Sequence, residues 1–377
     1  MSDLSVYEKH KDLFKKDVNM SRLERWLGQD KIDHARQSMR GWYGRPIYIT
    51  DLPGSVWIDA KGNFVGDFKH GFFSSAYDFI EDKLQQLPRQ AVLNAGFSSI
   101  SDALARASQG YSQRRNFNLV GRIGVVSATS SLWRGGPQPA AGSAGAAAPG
   151  GTAHTSANTG AIAFANPASG TNHLVGADVA ANIIGNTLLI YDRLFSVAKT
   201  MNSSATEAVT GVPTRYQSTT ATDADYAGDN FLFVETFTAL AATGHDWTVC
   251  TYKDQADAAS TLPSLTGNSG TIISRIDHPT AQWFAPLESG DVGIKALTQM
   301  QCSAAVATGA INFVIGHPLG FCLFPIINAV LPFDWLTNRD QAPRIFDDAC
   351  VQFLEIMKPS ASATTYTGRL VSTSAAA

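Results

Sequence analysis

Apolar and polar residues alternate along much of the chain after residue 185. In the run 292–303, for example, Ile294, Met300 and Cys302 fall on one face and Gln299 falls on the other. A period of two is typical of a strand with one buried face. This pattern, rich in β-branched and aromatic residues, predicts strands at residues 186–197, 229–240, 246–252, 281–287, 292–303 and 309–319. Clusters of Gly, Ser, Thr and Asn separate the runs, as in an antiparallel β-sandwich or barrel.

The first third of the chain has a different pattern. Apolar residues at helical spacing predict short helices at 75–87 and 99–108. Turn signals between short β-type runs predict a small meander at 46–68. Because each helix carries only a narrow apolar stripe, we expect an arm that packs on another subunit or another protein.

The predicted fold class is therefore mainly β with a short α-helical N-terminal part. It combines an antiparallel β-sandwich or barrel body with an N-terminal arm. The arm is expected at 1–118 and the body at 119–377, because the charge-rich composition of the N-terminal part ends near residue 118. The run 344–359 remains open, since its apolar positions fit a helix and also a strand.

A low-complexity run, "GPQPAAGSAGAAAPGG" at 136–151, begins a long Ala/Gly loop that we place at 136–160. It lies between two β-type runs, so it is predicted to be an inter-strand loop. Small residues permit close backbone approach but have little apolar surface to bury. We therefore expect this run to be mobile on an isolated monomer and to be held by neighbouring subunits.

The composition is poor in charge. Charged residues make up 16% of the chain, against roughly 25% in ordinary soluble domains. Surfaces that are covered by neighbours need less charge to stay soluble. The net charge of −3 does not provide the basic footprint that nucleic-acid binding requires.

The cysteines, the N-terminal residues and the longest apolar stretch indicate the cellular compartment of the protein. The four cysteines form no Cys-x-x-Cys and lie in apolar contexts, which predicts buried free thiols in a reducing cytoplasm. The N-terminal residues are charged and do not resemble a signal peptide. The longest apolar stretch, "GFCLFPIINAVLPF" at 320–333, contains two prolines and is too short to span a bilayer.

Signatures of catalysis or metal binding are absent from the sequence. It has no Walker loop, no strand-linked Gly-x-Gly-x-x-Gly, no His-Glu-x-x-His and no Gly-x-Ser-x-Gly. Asp223, Asp225 and Asp229 are close in sequence, but the twelfth position from Asp223 is Val234 rather than the Glu of an EF-hand. We interpret these aspartates as a solvated acidic turn and predict no catalytic, cofactor or metal site.

Other polar and aromatic residues receive structural interpretations. Asp347 and Asp348 are expected to pair with Arg344 or Arg339, because adjacent carboxylates point in different directions. The eight histidines are scattered and are expected to be hydrogen-bonded structural residues. The tryptophans that could stack on a glycan are expected to pack in the core instead: Trp247, Trp283 and Trp335.

Three stretches together resemble a class of tailed-bacteriophage virion structural proteins. They are "GNTLLIYDRLFSV" (185–197), the run from "GDNFLFVETF" to "TYKDQ" (228–255), and the run from "ESGDVGIKALTQ" to "VIGHPLG" (288–320). The last, a Ser-Gly-Asp-x-Gly turn followed by a strand and a glycine-turn hairpin, is the most characteristic. The resemblance covers roughly residues 120–370 and implies a non-enzymatic particle component that assembles symmetrically.

We therefore expect a self-assembling component of a phage head shell, either a capsid protein or a capsid-decorating (cement) protein, without catalysis or cofactor. Its expected partners are copies of itself, as a trimer or a shell lattice, and other phage capsid proteins. No membrane and no sequence-specific nucleic acid is expected. The expected location is the virion, after synthesis in the bacterial host cytoplasm.

The alternatives within the virion are the major capsid protein proper and a tail or fibre receptor-binding module. A glycan-active enzyme on a β-scaffold ranks below these.

Overall fold

Strands dominate the described part of the chain, as its β-branched and aromatic runs require. This structure is a computed structural model. It describes residues 47–49, 57–59, 97, 100–108, 111–278, 282–335, 342–356 and 358–375. The chain divides into two compact units, residues 1–90 and 91–377.

The first unit contains an antiparallel pair of strands, β1 (Ile47–Ile49) and β2 (Trp57–Asp59). This pair lies inside the predicted meander at 46–68. The rest of that meander and the predicted helix at 75–87 lie outside the described residues. The N-terminal arm therefore stays a prediction.

The second unit begins, within its described residues, with Phe97 and the helix α1 (Ile100–Ser108), which confirms the helix predicted at 99–108. Asp102 accepts a hydrogen bond from Arg106 one turn later, at 2.9 Å. Such a pair supports a short helix modestly. Helix α1 packs beside the last strand of the chain.

Eighteen strands follow the helix within the described residues. In chain order they are β3 (Ser112–Val120), β4 (Ser130–Ser131), β5 (Pro137–Gln138), β6 (Thr152–Ala153), β7 (Ile162–Ala163), β8 (Asn172–Ala181), β9 (Thr187–Thr200), β10 (Glu207–Ala208), β11 (Phe231–Thr238), β12 (Asp246–Asp254), β13 (Ala259–Thr261), β14 (Leu265–Thr266), β15 (Ile294–Cys302), β16 (Ala310–Leu323), β17 (Leu331–Asp334), β18 (Arg344–Ile345), β19 (Cys350–Ile356) and β20 (Thr365–Ser374). A short 3₁₀-helix, Ala227–Asp229, precedes β11.

These strands form three antiparallel sheets. The seven-stranded sheet has the order β11-β16-β9-β19-β4, with β6 paired to β9 and β7 to β19. The six-stranded sheet has the order β17-β8-β20-β3-β5, with β18 paired to β8. The five-stranded sheet has the order β10-β15-β12-β13, with β14 paired to β12. A mainly β, antiparallel fold is thus observed, as predicted.

The long central strands β9 and β16 contribute to two apolar cores. Toward the start of β9, Leu188 and Ile190 pack with residues of the six-stranded sheet such as Val179. Toward its end, Phe195 packs with residues of the five-stranded sheet such as Trp247. The side chains that alternate with these, such as Leu189, Phe233 and Val314, form a third cluster, so the strands of this sheet are apolar on both faces.

Five of the six predicted strand runs correspond to β9, β11, β12, β15 and β16. The prediction for 281–287 is wrong over its described residues 282–287, which form no strand. Ala285 donates one backbone hydrogen bond to Leu232 at 2.7 Å. Pro286 follows and has no N–H to continue a ladder.

The open run 344–359 forms β18 and β19 rather than a helix. All seven residues of β19 are buried. A strand buried on both faces has no alternation, so its apolar pattern resembles that of a helix. Asp348 separates the two strands with a φ of 58°, a left-handed conformation that a helix interior does not contain.

The division between the two units falls after residue 90, whereas the sequence placed its boundary after residue 118. Strand β3 pairs with β20 from Ser112 to Val120. Residues 112–118 therefore belong to the sheet of the second unit.

Candidate functional site

Four connecting segments lie together at one end of the second unit, and we call them the apolar end. They are residues 120–129 after β3, 182–186 between β8 and β9, 323–330 between β16 and β17, and 358–364 between β19 and β20. Backbone hydrogen bonds join them. Gly121 donates to Thr364 at 2.8 Å, and Gly185 donates to Phe324 at 2.7 Å.

The exposed surface of the apolar end is built from large aliphatic side chains. Nine of the fifteen exposed large apolar side chains in the described part of the chain lie there: Val120, Ile123, Val125, Val126, Ile184, Leu323, Ile326, Ile327 and Val330. Soluble monomers rarely expose such a contiguous group, and its presence typically indicates an interaction site.

Charge is nearly absent from this surface. Within the four segments the only charged residues are Arg122 and Lys358, and the side chain of Lys358 is fully buried. Lys358 donates to the backbone oxygen of Arg122 at 2.7 Å and lies 3.2 Å from Glu355. Glu355 also accepts a hydrogen bond from Tyr366 at 2.8 Å. The ion pair is thus compensated inside the protein, and Arg122 alone presents charge at the apolar end.

The Ala/Gly run (136–151) is held by its own chain. Gly136 accepts a backbone hydrogen bond from Val120 at 3.0 Å, and Gly142 donates to the backbone oxygen of Trp133 at 2.7 Å. Ala146 accepts from Ala198 of β9 at 2.9 Å. The run thus has hydrogen-bond partners within its own chain, whereas the sequence suggested that neighbouring subunits hold it.

Glycine is required where the run approaches the indole of Trp133. A Cβ at Gly142 would overlap the Trp133 ring. Ser143 of the run accepts a hydrogen bond from Trp133 Nε1 at 2.7 Å. A run without large side chains thus fits against a large buried one, because its backbone supplies the contacts.

A buried charge network fastens the next part of the run. Arg193 of β9 makes a bidentate pair with Glu235 of β11, at 2.5 and 3.2 Å. Asn312 of β16 donates to Glu235 at 2.8 Å, and its Oδ1 accepts from the Gly145 N–H at 3.2 Å. The Arg193 guanidinium also lies 4.4 Å over the Trp133 ring. Although burial opposes its charge, the attraction of Glu235 raises the pKa of Arg193.

A second buried bidentate pair lies beside the first. Arg215 contacts Asp192 of β9 at 2.9 and 2.8 Å. Asp192 also accepts from the Cys350 N–H at 2.9 Å. Arg215 donates in addition to the backbone oxygen of His154 at 3.0 Å. Paired and hydrogen-bonded charges of this kind can remain ionised within a core.

His154 and Ser196 have the spacing of a base and a nucleophile, but they lack the other requirements. His154 Nε2 lies 2.8 Å from Ser196 Oγ, and Arg193 also donates to Nε2 at 3.3 Å. Nδ1 has no hydrogen-bond partner among the described residues, so no carboxylate orients the ring as in a catalytic triad. Ser196 is fully buried. Burial, Arg193 and Arg215 hold the pKa of His154 well below its usual value, and the neutral ring links β6 to β9.

His245 forms a different buried pair. Its Nε2 lies 2.8 Å from Asp277, whose other oxygen accepts from the Asn268 N–H at 2.8 Å. Burial alone would lower the pKa of His245, but hydrogen bonding and attraction to Asp277 raise it. Asp277 therefore stabilises the protonated ring relative to its state in water.

The acidic residues that the sequence singled out lie in different surroundings: Asp223 and Asp229 line one groove, whereas Asp225 does not. No group of three metal-ligating side chains occurs in the described residues. Asp348 accepts hydrogen bonds from Asn166 at 3.2 Å and Ser156 at 3.5 Å.

The predicted ion pair of these carboxylates with Arg344 is wrong for the described residues, because the Arg344 guanidinium instead lies 3.9 Å over the Phe346 ring. The Phe346 ring also packs edge-on against Tyr216, whereas Asp348 turns toward Asn166. Arg339 lies outside the described residues.

The cysteines and tryptophans occupy the positions that the sequence predicted. All four cysteines are buried and free. Trp247 and Trp335 are buried in the cores, and Trp283 packs against a third apolar cluster. These residues are structural.

Comparison with known proteins adds little. No family model and no curated protein matches the chain. A search of solved structures returns the crystal structure of the infectious bursal disease virus VP2 subviral particle, with 8% identity, 70% of this chain and 80% of that chain covered, and a TM-score of 0.15. A similarity this low carries no argument.

Among the described residues, no helix has the length and hydropathy needed to cross a membrane.

Proposed function

We propose that this chain is a structural protein of a bacteriophage virion that assembles with copies of itself in the head shell and catalyses no reaction. The assignment to a phage follows the sequence resemblance described above. The assignment to self-assembly is carried by one structural observation, the apolar end.

Its chemistry favours a protein partner of the same kind. Nine exposed aliphatic side chains are an unfavourable surface in water, and their burial would contribute about 25 cal/mol per Å². Because Arg122 is the only exposed charge there, two copies of this surface can meet without strong repulsion. A surface without basic clusters also offers little attraction to nucleic acid or anionic lipid.

The low charge of the whole chain agrees with this proposal. At 16% charged residues, the protein has fewer groups than usual to keep isolated copies apart. Symmetric assembly would remove the apolar end from water and so replace charge as the means of solubility.

Sedimentation velocity of the purified full-length chain tests the proposal. We expect the wild-type protein to sediment as an oligomer or a larger particle at micromolar concentration. The double variant Ile326→Asp/Val330→Asp should sediment as a folded monomer, because each carboxylate would have to be desolvated at the interface.

A matched control is available on the same unit. Val212 and Val292 are 51% and 61% exposed, comparable with 54% for Ile326 and 65% for Val330, but lie outside the apolar end. The variant Val212→Asp/Val292→Asp should keep the wild-type sedimentation. A monomeric wild type, or equal dissociation of both double variants, would overturn the proposal.

A further inference from the structure

A groove with mixed polar and aromatic walls lies along β16. Its volume is about 810 Å³, within the range of roughly 300–1,000 Å³ in which proteins bind small ligands. Residues after β10, the middle of β16 and the segments flanking β17 and β18 line it. Its aromatic walls are formed by Tyr216, Tyr226, His317, Phe321 and Trp335.

The floor of the groove is a fixed aromatic stack. The rings of Tyr216 and His317 are parallel to within 8°, with centroids 3.6 Å apart. Tyr216 has a φ of 52°, a conformation that is costly for a bulky residue and persists only where the surroundings enforce it. Its hydroxyl donates to the backbone oxygen of Arg344 at 3.1 Å.

His317 presents a hydrogen-bond acceptor. The Nδ2 amide of Asn230 donates to the backbone oxygens of Tyr216 and Ile294, which leaves Oδ1 as an acceptor. His317 Nδ1 lies 2.9 Å from this oxygen and must therefore carry the proton. Burial lowers the pKa of His317 to about 3, so the ring is neutral and Nε2 keeps a lone pair.

Further polar groups surround this stack. Asp223 and Asp229 line the groove with exposed carboxylates, which accept hydrogen bonds. Arg344 also lines the groove and carries N–H donors. Phe321, 39% exposed, adds an accessible ring.

We propose that this groove binds a saccharide. Sugar hydroxyls donate to the two carboxylates and to the neutral histidine, their oxygens accept from Arg344, and an apolar sugar face packs on Phe321. A phosphate or other anion fits poorly, because the lining carries two carboxylates and one arginine. The groove gives the protein a glycan-binding function that is separate from assembly at the apolar end.

A printed array of bacterial and mammalian oligosaccharides, probed with the full-length protein, tests this inference. The strongest array ligand is then titrated by isothermal calorimetry against matched variants. Asp229→Asn removes a groove carboxylate and should weaken binding about tenfold or more. Asp225→Asn, in the same loop but outside the groove lining, should bind as the wild type does.

A second matched pair examines the aromatic wall. Phe321→Ala should weaken binding by a similar factor. Phe284→Ala removes a ring of equal exposure, 40%, that does not line the groove, and should have no effect. Binding lost in both groove variants and kept in both controls supports the inference. An array without any bound saccharide, or binding that the groove variants leave unchanged, overturns it.

Discussion

The Ala/Gly run and the apolar end behave in opposite ways to what their side chains suggest. The run 136–151 has no large apolar side chain, yet backbone hydrogen bonds and a buried ion pair hold it against β9 and Trp133. The apolar end has isoleucines and valines that ordinarily lie in a core, yet nine such side chains are exposed. Residue size alone therefore predicts neither order nor burial.

The difference comes from what each segment can satisfy within one chain. The run offers N–H and C=O groups, which the neighbouring strands and Asn312 can pair. The apolar end offers surface that only another apolar surface can cover, and the second unit already uses its sheets to cover two cores. The backbone groups of the run are paired within the chain. The apolar surface of the apolar end, as we propose, is covered by a second copy.

Replacing Arg193 by Met should lower the unfolding free energy more than the other changes described below. Glu235 would remain buried with a single amide donor, and a broken buried ion pair costs about 3–5 kcal/mol of unfolding free energy. Hydrogen exchange at the Gly145 amide should also become faster, since Asn312 would lose its fixed position.

The control is Arg369→Met, which removes an ion pair with Asp178 whose side chains are 50% and 30% exposed. Chemical denaturation should show a change of about 0–1 kcal/mol there. Equal losses in the two variants would mean that the buried network does not hold the run.

A methyl group within the run should have an intermediate effect. In Gly142→Ala the new Cβ overlaps the Trp133 ring, and overpacking of this kind costs about 1–3 kcal/mol. Gly150→Ala, in the same run, meets nothing within 4 Å and should change the unfolding free energy by less than about 1 kcal/mol. Thermal melting distinguishes the pair, and identical melting would show that the run does not pack on Trp133.

Acidification should have the smallest effect, through His154. Because burial and two arginines lower its pKa in the folded protein, the unfolded chain binds the proton first as pH falls below about 6.5. His154 therefore lowers the unfolding free energy as the pH is lowered, by at most about 1.4 kcal/mol per pH unit. In His154→Gln the slope between pH 6.5 and 5 should be shallower.

His245→Gln supplies a control of opposite sign. Asp277 raises the pKa of His245, so this residue stabilises the fold at low pH and loses that contribution as pH rises through the folded pKa. Its replacement should remove a gain in unfolding free energy that acidification gives above about pH 6.5, and should leave the slope between pH 6.5 and 5 nearly unchanged. An unchanged slope in His154→Gln would contradict the buried, neutral state of His154.

Much of the fold was predictable because alternation is a local property. Five strand runs and helix α1 follow from spacing alone. The sequence does not distinguish helix from strand at β19, because this strand is buried on both faces. The run 281–287 has the aromatic residues of a strand, but Pro286 cannot donate to a ladder, and its described residues form none. The stretch 320–333 stood out as apolar, but its sequence does not say whether it is buried.

The site residues were less predictable. His317 precedes a proline, and Tyr216 lies in a run without a clear period. Their stack joins positions about a hundred residues apart, and no local signal marks such a pair. Trp335 was predicted to pack in the core, and it does so, but its sequence does not show that it also lines a groove.

The sequence by itself determined that this protein is mainly β and antiparallel, that its cysteines are free, and that it is poor in charge. These properties depend on the periodicity of short segments or on the number of each residue type, and both can be taken from the sequence directly. The tertiary structure decided which apolar residues remain outside, which glycines are fastened, and which polar groups meet in a groove. Those outcomes depend on strand order and register, which bring together segments that the chain keeps far apart.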